Sequence, residues 1–221
     1  MKYFLTLVLM LSVVCMAFAQ DRQAEKAAQE ALAEKVAFIL QMDGLIVELP
    51  TNARKIAAMQ EMLAKGDLTA QNFNRLEARL AETIEETEEQ AALIVKIFTT
   101  AYDIGPLYFI PDTALVLLKE EVRSGYFYDQ ERNIDPSITL PDDFILLRMG
   151  YANVATGSGA EAMILTNSDL SPLQPPFPDA ITFNNVGYLF NKLLAPDIAE
   201  RKRLEAAVNS LTRKLRSAIG E

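Results

Sequence analysis

The chain has 221 residues, 30 acidic against 21 basic, for a net charge of −9 with no histidine, no tryptophan and one cysteine. Half of it is hydrophobic, enough for a packed core. The acidic balance disfavours nucleic acid and anionic lipid as partners, and without histidine the usual general base and the serine–histidine triad are excluded.

The start of the chain reads as a secretory signal peptide. Lys2 supplies a positive charge, residues 4–14 an apolar run, and Ala17 and Ala19 the small residues for cleavage after position 19. The run is too short for a permanent membrane span, so the expectation is export to a periplasm or the extracellular space, with no transmembrane segment after cleavage. Cys15 leaves with the leader, and disulfides, thiolate zinc and iron–sulfur sites leave with it. The alternative is a lipid anchor on Cys15, which the branched Val14 before it opposes.

Proline divides the remainder. Residues 101–196 hold nine of the ten prolines, and most of the aromatics. This predicts a helical region at 20–101, a proline- and aromatic-rich α+β unit at 102–196, and a basic amphipathic helix at 197–221. The fold class is therefore α+β and predominantly helical. Long, coiled-coil-like helical flanks pack on a small mixed unit with a short antiparallel sheet.

In chain order, Ala28, Leu32, Val36 and Ile39 predict a helix over 21–42, broken at Asp43-Gly44. Residues 45–49 are apolar and short, and either a strand or a buried helical turn fits them. Thr51 or Asn52 can cap a helix that stops at Gly66, and Thr69 can cap a longer one. In that helix Phe73, Leu76, Leu80, Ile84, Ala91, Ile94, Phe98 and Ala101 form a three-four seam, interrupted by Thr87. Lys55-Ile56, Met59, Met62-Leu63, Gly66-Asp67-Leu68-Thr69, Phe73, Leu76 and Leu80 together resemble the short C-terminal domain (SHOCT) family. That is a helix–turn–helix of about thirty residues, here with Asn72 and Leu76 where the family usually has Glu and Lys. The resemblance implies an oligomerisation or interaction hairpin with Phe73 packed on Met62.

Further on, Asp112 can cap a helix running to Ser124, with Leu115, Leu118 and Val122 inward. Strands are predicted at 144–149, 162–166 and 180–183, with 150–159 as a long hairpin loop between the first two. Residues 172–178, with four prolines in seven, read as an extended connector, and 185–194 as a helix. The final helix starts at Pro196 with Leu204, Val208, Leu211, Leu215 and Ala218 at seam spacing.

No motif calls for a cofactor. Thr156-Gly157-Ser158-Gly159 lacks the lysine of a phosphate loop and precedes a strand. Asp129, Glu131, Asn133 and Asp135 alternate as in a calcium loop, but Ile134 and Leu140 stand where the bend glycine and closing acid belong, so calcium is a weak candidate and no other metal is indicated. Glu85, Glu86, Glu88 and Glu89 form an acidic patch, and the terminal helix carries Arg201, Arg213 and Lys214. The expectation is that the two helices pack together with these charges facing each other. Tyr108, Tyr126, Tyr128 and Tyr151 are either core or a platform for a glycan, peptide or other small ligand. The leading functional expectation is a non-enzymatic structural or interaction protein. It would bind a protein partner, or a second copy, through helical surfaces.

Overall fold

A computed structural model describes residues 22–129, 131–153, 156–183, 188 and 196–220. The leader and the helix expected at 185–194 lie outside these residues, except Tyr188. The fold is α+β and mainly helical. A helix at 22–38 (α1) ends in a π-helical turn, Ile39–Asp43, and leads into β1 (Leu45–Leu49). Two helices follow, α2 (Ala53–Lys65) and α3 (Ala70–Ala101), then β2 (Leu107–Pro111). A 3-10 turn, Asp112–Ala114, runs into the short α4 (Leu115–Lys119). Strands β3 (Ile145–Asn153), β4 (Ser158–Thr166) and β5 (Ala180–Thr182) precede α5 (Pro196–Ile219). Among these residues no helix is long and apolar enough to cross a membrane.

The sheet is larger than expected and is mixed, not antiparallel. Its order is β2-β1-β3-β4-β5. β1 pairs parallel with both β2 and β3, while β3–β4 and β4–β5 are antiparallel. The ambiguous segment 45–49 is thus a central strand, buried at every position. Its unbroken apolar run is what burial on both faces requires. β1 belongs by sequence to the helical first region, so the sheet draws on both sides of residue 101.

Alternation along the strands builds two cores. Leu45, Val47, Leu49, Phe109, Ile145, Leu147, Met163 and Leu165 face one side, where α1, α3 and α5 cover them. Ile46, Ile110 and Leu146 face the other, under α4, Tyr126 and Phe127. α3 and α5 pack as expected. Ile94 and Phe98 share the first core with Leu204, Val208, Leu211 and Leu215. The Thr212 hydroxyl donates to the Ala101 carbonyl at 3.2 Å, and Arg216 pairs with Asp103 at 2.7 Å.

Four local expectations need correction. The helix expected to reach Ser124 ends at Lys119, because Glu121 takes φ +57° and Gly125 +90°, and Val122 is exposed. The 150–159 segment is not a long loop: β3 runs on to Asn153 and β4 begins at Ser158, with Gly157 at φ +60° in the turn. The connector at 172–178 is partly core, since Leu173 and Phe177 are buried. In α3 the seam holds only from Ala91 onward. Before that point Thr83 and Thr87 are buried while Phe73 and Ile84 are exposed.

Candidate functional site

Two features stand out from the packed body: a helical arm and the crevice at its root. The arm is α2 with the part of α3 that precedes Ala91. Gly66, at φ +69°, ends α2, and the Thr69 hydroxyl accepts from the Asn72 amide at 3.4 Å to start α3. Both are the punctuation that the sequence predicts. Asn52 sits before α2 at φ +49° without capping it, and its side-chain amide donates to the Thr87 hydroxyl at 2.8 Å. Thr87 in turn donates to the Thr83 carbonyl at 2.6 Å. Polar bonds therefore satisfy the inward Thr87 that interrupts the seam.

Little apolar surface is buried along the arm. Met59 is the one fully buried apolar side chain of α2. Met62, Phe73 and Ile84 are 45 %, 37 % and 41 % exposed. Phe73, which the resemblance to the helical-hairpin family implies packs on Met62, is thus left more than a third exposed. No family model, no curated protein and no solved structure matches the chain.

The acidic patch lies on this arm, away from the basic residues expected to meet it. Glu88 pairs with Arg132, which also donates to the Glu88 carbonyl at 3.2 Å. Glu85, Glu86 and Glu89 are exposed. On α5, Arg201 pairs with Glu205 of its own helix at 2.7 Å, and Arg213 and Lys214 are exposed. The helices pack, then, but these charges do not join them. Ionic links from α5 to the rest of the fold include Arg216–Asp103 and Arg203–Glu161, with Arg203 lying 4.7 Å and 4.8 Å over the rings of Phe183 and Tyr188.

The tyrosines divide. Tyr126 is buried, stacked at 4.7 Å on Phe127, and its hydroxyl donates to the Val122 carbonyl at 2.7 Å. Burial pushes its pKa up. Tyr151 is exposed on β3. Tyr108 and Tyr128 both line a cavity of about 460 Å³, together with Tyr102, Phe109, Asp129 and Glu131. Among the described residues the buried Tyr102 hydroxyl has no hydrogen-bond partner, and burial holds its pKa well above the usual phenol range.

The calcium pattern is occupied by its own turn. The Asp129 carboxylate accepts the Asn133 amide at 2.7 Å, and the Asp135 carboxylate accepts the Ser137 amide and hydroxyl at 2.9 and 2.6 Å. Those bonds hold the Asp135 carboxyl below its usual range. Among the described residues no group of three or more acidic, His or Cys side chains is placed to hold a metal.

The crevice was not signalled by any motif. It lies at the carboxyl ends of β1 and β2, with a volume of about 650 Å³, between Thr51-Asn52-Ala53 and Asp112-Thr113. Glu48 on β1 and Arg148 on β3 meet in its floor, Nε to Oε2 at 2.9 Å. The Asp112 carboxylate accepts the Thr51 amide at 3.2 Å and the Thr51 hydroxyl, tying the two strand ends together. Glu48 is only 8 % exposed. Burial raises its pKa, the Arg148 contact works against that rise, and Asp112 adds to it.

Proposed function

We propose that the protein is an exported interaction protein that binds a protein partner through the α2–α3 arm. One observation carries this reading. The arm leaves Met62, Phe73 and Ile84 substantially exposed in a segment that buries one apolar side chain of α2. Large apolar side chains left exposed on one helical hairpin are characteristic of binding surfaces. The acidic patch at Glu85, Glu86 and Glu89 lies on the same element, and such charges steer encounter and select a partner more than they add affinity.

The test is a Phe73→Glu/Ile84→Glu variant. Both side chains are exposed, so the far-UV spectrum and melting curve should match the wild type. Solution mass and affinity capture from the native envelope are then compared for the two proteins. The reading expects a partner, or a doubled mass, that the wild type shows and the variant loses. Identical mass and identical capture would refute it.

A second reading, a small-ligand module, gains support from the cavity beneath Tyr108 and Tyr128. An unpartnered buried hydroxyl at Tyr102 beside two carboxylates suits a hydroxyl-rich ligand such as a glycan. Thermal shifts with oligosaccharides, absent in a Tyr128→Ala variant, would support it. A flat response of the wild type would leave it refuted.

A further inference from the structure

The crevice at the strand ends has the topology of a ligand site. The chain leaves β1 toward α2 and α3, and α3 covers the first core, whereas it leaves β2 toward α4, which covers the second. The two connections diverge to opposite faces of the sheet, and a parallel sheet opens at such a point into a crevice beyond its carboxyl ends. Here the opening is lined by Thr51, Asn52 and Ala53 from one connection and by Asp112, Thr113 and Val116 from the other.

Arg148 is the group placed to use it. Among the described residues Glu48 is its only hydrogen-bond partner, and that bond takes Nε. Among those residues neither terminal nitrogen has a protein partner. A guanidinium clamped through Nε by a buried carboxylate is fixed in orientation, and its remaining fork matches the two oxygens of a carboxylate. The side chain is 38 % exposed and borders two cavities, the crevice and a second one of about 700 Å³ on the far side of α4. Leu115 and Val116 line the first, and Leu118, Phe144 and Leu170 the second, so apolar surface adjoins the fork in both directions.

The charges narrow the ligand. Arg54, Lys55 and Arg148 line the crevice against Glu48 and Asp112. The excess is one positive charge, which suits a monoanion and disfavours a phosphate dianion beside two carboxylates. We propose that Arg148, positioned by Glu48, binds the carboxylate of a small organic monoanion whose apolar body lies along α4. This stands apart from partner binding by the arm, and neither depends on the other.

Calorimetric titration with hexanoate, benzoate and inorganic phosphate tests it. The wild type should bind at least one of the two carboxylates saturably at one site, and more tightly than phosphate. Arg148→Lys keeps the charge but not the fork, and should weaken binding about ten- to hundredfold, the loss of one charge-assisted hydrogen bond. Val116→Trp fills the crevice from a position that is 54 % exposed and should abolish binding with an unchanged circular dichroism spectrum. The proposal is overturned if neither carboxylate binds, if phosphate binds more tightly, or if Val116→Trp binds as the wild type does. It also falls if Arg148→Lys, when folded, binds within twofold of the wild type.

Discussion

Replacing Arg148 with leucine leaves Glu48 as a buried carboxylate without its partner. Removing one member of a fully buried pair costs about 3–5 kcal/mol, because the remaining charge loses both its hydration and its counter-ion. Arg148 is 38 % exposed and water screens part of the pair, so the expected cost at neutral pH is about 1–3 kcal/mol. Replacing Glu48 with leucine as well removes the stranded charge and extends the apolar floor of Ile46 and Ile110. The double variant should therefore return to within about 1 kcal/mol of the wild type. The sign of the pH dependence is fixed as well. In the wild type burial raises the Glu48 pKa despite Arg148, and without Arg148 the rise is larger. A raised folded-state pKa contributes stability that is complete below the unfolded value and is lost as pH rises through the folded one. The penalty of Arg148→Leu should accordingly shrink as pH falls and Glu48 takes a proton. Urea unfolding followed by far-UV circular dichroism measures the wild type and both variants. A cost below about 0.5 kcal/mol for Arg148→Leu, a double variant less stable than the single, or a penalty that grows in acid would refute the argument.

Two further outcomes follow from backbone and turn geometry. At Gly44, φ is +93° and a Cβ would lie 2.4 Å from the Pro106 carbonyl oxygen, whereas at Gly66, φ is +69° and nothing lies within 4 Å. Gly66→Ala should cost about 1 kcal/mol, the left-handed strain alone, and Gly44→Ala clearly more in the same urea assay; equal costs would show that the contact beside β1 is not rigid. The Asp135 and Asp169 carboxyls are held below their usual range by Ser137 and Ser171. A depressed pKa contributes stability above the unfolded value and loses it as pH falls, so the melting difference between wild type and Ser137→Ala/Ser171→Ala should be present at neutral pH and vanish in acid. A difference that persists or grows in acid would exclude those bonds as its source.

What the sequence made legible was local. Gly66 and Thr69 punctuate the arm as read, since a left-handed stop and a hydroxyl cap depend only on near neighbours. The α5 seam was legible for the same reason, because Leu204, Val208, Leu211 and Leu215 repeat at helical spacing and all are buried. β1 was ambiguous because a strand buried on both faces has no alternation to detect. Thr87 was legible only as a polar interruption of the seam, because the Asn52 amide that bonds its buried hydroxyl comes from a distant part of the chain. Glu48 and Arg148 are 100 residues apart, and only the parallel pairing of β1 with β3 makes them neighbours.

The acidic patch shows most directly why composition misled. Opposite charge suggested that Glu85–Glu89 and α5 face each other. Yet exposed pairs are worth about 0.3–1 kcal/mol, while burying a side chain such as Ile94 or Phe98 is worth about 1.5–3 kcal/mol. The stronger term sets the register of the helices, and it acts only from Ala91 onward, where α3 enters the first core. The glutamates precede that stretch. Packing carries them past the sheet to the side of Arg132, where Glu88 finds a partner and Glu85, Glu86 and Glu89 stay in solvent. A patch placed by the packing of its helix, and not by attraction to α5, remains open to a partner outside the chain. For the same reason the arm rather than α5 is where the binding reading has to be tested.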